Sequence, residues 1–235
     1  MRLSFSIIKD ERILREQMIA MQCMNDPTRS PYLVEIKGGE IIGEFVYLAF
    51  LWEPATLAEY NREKGGGMKT KKRILWELAS AIQYLRSKQI IHRDIKPSNI
   101  LLSNSTLSLA QVRIADFGFA RILDLKESGL EFTRGIGTPA YAAPEILTHA
   151  AQYDFAVDVW SFGAVAYELL SGCKPFTAKT LHELKARQEE GPDYSKLWEE
   201  SAGAREFVEG CLAVNPSQRL KIEEVVGHRF LKPYT

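Results

Sequence analysis

The sequence predicts an α+β fold of two unequal lobes, and three stretches carry that expectation. From Tyr32 to Trp52 the chain is rich in Val, Ile, Phe and Tyr and is broken by Gly38, Gly39 and Gly43, which reads as an antiparallel hairpin. Between Thr70 and Lys88, Ile74, Leu75, Leu78, Ile82 and Leu85 recur at helical spacing, so one side of that helix is buried. After Tyr141 the texture is helical, with helices near Val157–Leu170, Lys179–Glu190, Ala204–Cys211 and Ile222–His228. Gly172 and Gly210 near two helix ends, and Ser217 ahead of the last helix, serve as punctuation.

The remaining elements follow in chain order. Asp10–Met24 reads as a helix with Ile13, Leu14, Met18, Met21 and Cys23 on a mostly apolar side, and Pro27 and Pro31 oppose its continuation. Two short strands are expected at Ile100–Leu102 and Val112–Ala115. There is no internal repeat and no low-complexity tract.

Bulk properties narrow the classes. In 235 residues, 46% hydrophobic and 26% charged residues give an ordinary globular balance rather than disorder. Thirty basic residues offset thirty acidic ones, so bulk charge predicts no attraction to nucleic acid or to an anionic membrane. Cys23, Cys173 and Cys211 lie far apart without metal-ligand spacing, which fits reduced thiols in a cytosolic or nuclear protein, the cytoplasm being the expected placement. The longest apolar run, Phe45 to Trp52, is too short to span a bilayer, and the opening MRLSFSIIKDERIL has no signal-peptide core.

The chemistry is concentrated in strings of fixed order: HRDIKPSN at His92–Asn99, DFG at Asp116–Gly118, APE at Ala143–Glu145 and DVWSFG at Asp158–Gly163, followed by Arg219 in NPSQRL. Together they resemble the protein kinase superfamily, from about residue 10 to Leu231. The resemblance implies a kinase-like bilobal fold with a partial N-lobe over 1–52, made of one helix and two strands and lacking the glycine loop and lysine strand, and a mostly helical C-lobe over 53–235. It also implies an ATP- and Mg²⁺-dependent enzyme acting on a protein substrate, with room for a regulatory protein partner. Phosphoryl transfer needs a positioned hydroxyl, neutralised phosphate charge and fixed geometry more than covalent help. Asp94 suits the task of orienting the substrate hydroxyl and accepting its proton, and Lys96 supplies a cation near the transferring phosphate. Asn99 and Asp116 offer hard oxygens to Mg²⁺.

Other roles come from the resemblance alone. Asp158 resembles the buried aspartate that bonds the catalytic-loop backbone, and Glu145 with Arg219 resembles a structural ion pair. Lys96, and Thr138 in GTPAYAAPE, resemble serine/threonine enzymes, whose threonine bonds the catalytic Asp and Lys. Arg93 before Asp94 implies an activation segment ordered by phosphate, for which Thr133 is the better acceptor and Ser128 the weaker. Alignment of FVYLAFLW makes Phe50 the gatekeeper, with Leu51, Trp52 and Glu53 offering backbone groups to adenine and Leu101 packing beneath the ring. ILLSN at Ile100–Asn104 and VRIADFGFARIL at Val112–Leu123 look most like the autophagy-initiating kinases related to unc-51.

Two departures qualify the match. No G-x-G-x-x-G precedes the catalytic loop, and Gly65, Gly66 and Gly67 lack the strand context of a phosphate loop, reading instead as a linker. The lysine that holds the α/β-phosphates is the second. Glu16 best fits its helix partner, Glu11 being the alternative, and Lys9 in FSIIK stands only seven residues before Glu16, which is tight for two helical turns and a crossover. The expectation is therefore a chain that begins inside a longer kinase. The alternative is a catalytically impaired kinase-fold module that binds partners.

Overall fold

The hairpin read from Tyr32–Trp52 forms as β2 (Ile36–Ile42) and β3 (Phe45–Leu51), antiparallel, with an irregularity in register between Ile36 and Gly38. The expected N-lobe of two strands is corrected to three: β1 (Leu3–Ile8) pairs antiparallel with the other edge of β3, Leu3 opposite Leu51 and Ile8 opposite Val46, giving the order β1-β3-β2. This computed structural model describes residues 3–8, 26, 28–42, 45–63, 67–118, 120–122, 139–147, 154–197 and 203–232. The helix expected over Asp10–Met24, with Glu11 and Glu16, lies outside them, as do Lys9, Ser128, Thr133 and Thr138.

The larger lobe begins with β4 (Ala55–Thr56) and α1 (Leu57–Glu63), then α2 (Met68–Ser87). The stripe expected on α2 is the side it buries: Ile74, Leu75, Leu78, Ile82 and Leu85 are all at most 2% exposed. Gly67 caps its N-terminus with extended backbone, while Gly65 and Gly66 fall outside the described residues. Then come β5 (Ile90–Ile91), a 3-10 turn at Pro97–Asn99, β6 (Ile100–Leu102), β7 (Val112–Ile114) and β8 (Arg121–Ile122). β6 pairs antiparallel with both β4 and β7, and β5 with β8.

The helical body is α3 (Pro144–Leu147), α4 (Ala156–Ser171), α5 (Leu181–Glu190), α6 (Ala204–Cys211) and α7 (Ile222–Val226). Every residue of α4 from Val157 to Leu170 is buried, so it is the axis of the lobe rather than a surface helix. Gly172 ends it in the left-handed region, φ 74°, where glycine carries no Cβ penalty. Gly210 has another purpose than the helix stop expected of it. It lies within α6, and a Cβ there would come 2.8 Å from Leu220 Cδ1, so the glycine permits close packing. Ser217 likewise does not cap α7: it sits in a 3-10 turn capped by Asn215, and Lys221 stands at the N-cap of α7.

Main-chain bonds join the small sheet's flank to the body. Val34 N–H donates to the Ile114 carbonyl and Ile114 N–H to the Tyr32 carbonyl, both at 2.9 Å. Asp26 accepts from Tyr84 Oη at 2.9 Å and pairs with Lys88 on the end of α2. The long connection between β6 and β7 is held from α2. Arg73 donates to the carbonyls of Ala110 and Leu107 at 2.6 and 2.8 Å and to Glu77, whose other oxygen accepts the Val112 amide at 3.0 Å.

Candidate active site

The β5–β8 pair brings together the segment after β5, which carries His92–Asn99, and the turn after β7, which carries Asp116. Two residues there hold left-handed backbone without being glycine: Arg93 and Asp116, each with φ 66°. Such conformations cost energy and persist only where the surroundings enforce them. At Arg93 the enforcing group is Asp158 on α4. Its carboxylate accepts the His92 amide at 2.7 Å and the Arg93 amide at 2.8 Å. Asp158 is 1% exposed, and that burial pushes its carboxyl up to about 6 against the pull of the two amides.

His92 completes the support. Its Nδ1 accepts the Asp94 amide at 3.3 Å and its Nε2 faces the Ala115 carbonyl at 3.2 Å, which assigns the proton to Nε2. The ring lies edge-on to Phe117 with centroids 5.0 Å apart. Burial lowers the imidazole to about 4, so it is neutral at physiological pH, as that bonding requires.

Asp94, 4% exposed, is surrounded by the expected partners. Lys96 Nζ donates to its Oδ2 at 2.7 Å, and Asn99 Nδ2 donates to the same oxygen at 2.9 Å and to the Asp94 carbonyl at 3.0 Å. Asn99 Nδ2 also lies 3.4 Å from Asp116 Oδ2, which brings the two expected metal donors side by side. Burial pushes the Asp94 carboxyl up, and Lys96 beside it pulls the other way.

Among the described residues no three His, Cys, Asp or Glu cluster as a metal cage. An exposed Asp116 carboxylate next to Asn99 fits Mg²⁺ instead, which takes one or two carboxylates and shares the rest of its shell with water and phosphate oxygens.

The expected adenine residues lie along the strand end and its exit. Phe50 is half-buried and packs on the core, and Leu101 does so from β6. The Leu51 amide donates to the Glu35 carbonyl at 2.9 Å, so that group is engaged within the protein. Trp52 is 39% exposed, while the Glu53 side chain turns in to Arg113. Sequence reading missed this last partner, as well as the tautomer-setting contacts of His92. Glu145 and Arg219 meet as expected: Arg219 donates to both Glu145 oxygens at 2.7 and 3.2 Å and to the Ala156 carbonyl at 2.7 Å, its guanidinium over the Trp160 ring.

These strings, so arranged, define a protein kinase catalytic domain, and the chain belongs to that family: the protein kinase domain matches residues 4–231. The chain is similar to the serine/threonine-protein kinase ULK1 of Homo sapiens, 33% identical over 95% of the chain and 21% of the relative. It is 39% identical to the serine/threonine-protein kinase ATG1b of Arabidopsis thaliana over 69% of the chain and 22% of that protein. A probable myosin light chain kinase of Dictyostelium discoideum is 34% identical over 83% of the chain and 46% of its own length. The chain thus spans less than half the length of these three relatives.

Proposed function

We propose that the chain is the catalytic core of a serine/threonine protein kinase that moves the γ-phosphoryl group of ATP onto Ser or Thr hydroxyls of proteins. The observation that carries this reading is the closed set around Asp94, in which Lys96 and Asn99 converge on one carboxylate oxygen with Asp116 adjacent. Asp94 orients the acceptor hydroxyl and takes its proton, and Lys96 steadies charge on the transferring phosphoryl group. Asn99 and Asp116 would hold Mg²⁺, which neutralises phosphate charge when bound. Phe50, Leu51, Trp52, Glu53 and Leu101 frame the adenine, and the resemblance gives Thr138 the role of bonding Asp94 and Lys96.

The same reading divides the chain into an N-lobe part over 1–52 and a C-lobe over 53–235, and makes Thr133 the site of an activating phosphate paired to Arg93. Among the described residues no helix is long and apolar enough to cross a membrane. Cys173 and Cys211 are unpaired thiols, which supports a cytoplasmic placement. The test is incubation of the chain with Mg²⁺, γ-labelled ATP and a generic protein substrate, followed by phosphoamino-acid analysis. Label on serine or threonine, abolished by EDTA, is expected. Label on tyrosine alone, or transfer that survives metal removal, would contradict the reading.

A further inference from the structure

Glu53 follows β3 in the stretch that joins the two lobes, yet its side chain is only 4% exposed. Its Oε1 lies 2.7 Å from Arg113 Nε. Neither atom has a partner in hydrogen-bonding alignment, so the contact is a charge pair held by proximity rather than direction, its touching atoms shielded from solvent although the Arg113 side chain is 19% exposed. Burial raises the Glu53 carboxyl, Arg113 lowers it and Glu35 nearby raises it.

The sheet register shows what the pair is next to. Thr56 of β4 stands opposite Leu101 of β6, and Leu101 opposite Arg113 of β7. Cross-strand partners share a face, so these three form one row. Their neighbours Ile100, Leu102, Val112 and Ile114 point the other way and are at most 1% exposed. Leu101 in the middle of that row is the expected floor of the adenine site. Arg113 therefore stands beside the floor while it grips the joining stretch through Glu53, and its Nη1 reaches the Pro31 carbonyl at 3.3 Å.

We propose that Glu53 and Arg113 are a positioning pair for the nucleotide base, holding the joining stretch at a fixed height over Leu101. This rests on the nucleotide-binding reading above and adds the residues that set base affinity. Removing the Arg113 cation leaves the Glu53 carboxylate buried and alone, and removing either partner releases the stretch, so the base loses its framed slot while the phosphate end of the cleft, around Asp116, is untouched.

Calorimetry on the 235-residue chain tests this with two probes, adenosine for the base end and magnesium tripolyphosphate for the phosphate end. Glu53→Gln and Arg113→Met should each weaken adenosine about tenfold and leave tripolyphosphate within about twofold. The double variant should bind adenosine no worse than either single, because the two side chains act as one unit. Arg113→Lys, which keeps a cation, should retain most of the adenosine affinity and so separates lost charge from lost folding. Unchanged adenosine affinity in the single variants, additive losses, or equal weakening of both probes would overturn the proposal. Phosphoryl transfer enters none of these readouts, so failure of the pair and failure of the kinase reading are separate results.

Discussion

Asp158 holds the catalytic loop through one carboxylate and two backbone amides, and its ionisation therefore links pH to geometry. Protonated, it keeps a single good acceptor, and one of the His92 and Arg93 amide bonds at 2.7 and 2.8 Å must weaken. The folded carboxyl titrates near 6, above the ordinary value of 3.8, because burial disfavours the charge. The folded state thus binds this proton more tightly than the unfolded chain does. The contribution of this group to stability consequently grows as pH falls from about 6 towards 3.8, while the loop loses a tether. The Asp94 carboxyl is raised as well, and the proton-accepting role proposed for it needs the ionised form, so it acts in the same direction on turnover. We expect kcat to fall as pH is lowered through about 6 without a matching drop in Tm, measured by parallel kinetics and thermal melts. A Tm that falls in step with kcat over that range would show that acid acts on the whole fold. At this scale the strings HRDIKPSN and DFG were legible because the chemistry needs those residue types at short, fixed spacing. Glu53 with Arg113 was not, because only the β6–β7 register and the turn of the chain after β3 bring the two together.

α4 and α6 show how an element can be legible while its reasons are not. The apolar run VDVWSFGAVAYELL announces a helix without a polar face, and α4 is buried along its length. What the run does not disclose is that Gly163 is a contact point. A Cβ there would meet Cys211 Cβ of α6 at 2.7 Å, and that atom cannot rotate away. Gly163→Ala should cost about 1–3 kcal/mol through overpacking, lowering Tm by about 2–4 °C for each kcal/mol in a chain of this size. A thermal melt with Tm unchanged would mean the two helices separate freely. The β2–β3 hairpin, α2 and β6 follow from period and composition. By contrast β4, β5 and β8, two residues each, exist through their partners and carry no pattern of their own. β1 was different: LSFSI alternates apolar and polar residues, a strand pattern that the reading passed over, and only its pairing to β3 is a tertiary fact. Ser217 and Gly210 were misread as helix signals because turn residues and close-packing glycines share the same composition as caps.

Across the whole molecule, the buried helix α4 supports the loop that holds Asp94, and Ile114 of β7 bonds to Tyr32 and Val34 on the flank of the small sheet. The α+β character was legible because a glycine-broken β hairpin precedes a long helical body. The ties to the flank of the small sheet were not, since they are main-chain bonds of Ile114 with Tyr32 and Val34 and side-chain contacts, such as Asp26 with Tyr84 and Lys88, between residues far apart in sequence. Everything in this arrangement converges on one carboxylate, so the central claim is that Asp94 is the proton acceptor of phosphoryl transfer. The direct measurement is kcat of Asp94→Asn beside its nucleotide affinity and Tm. Loss of general-base catalysis predicts a fall in kcat of at least ~100-fold, with nucleotide binding retained and Tm within about 3 °C. A folded, nucleotide-binding Asp94→Asn protein that keeps more than about a tenth of wild-type kcat would contradict the account.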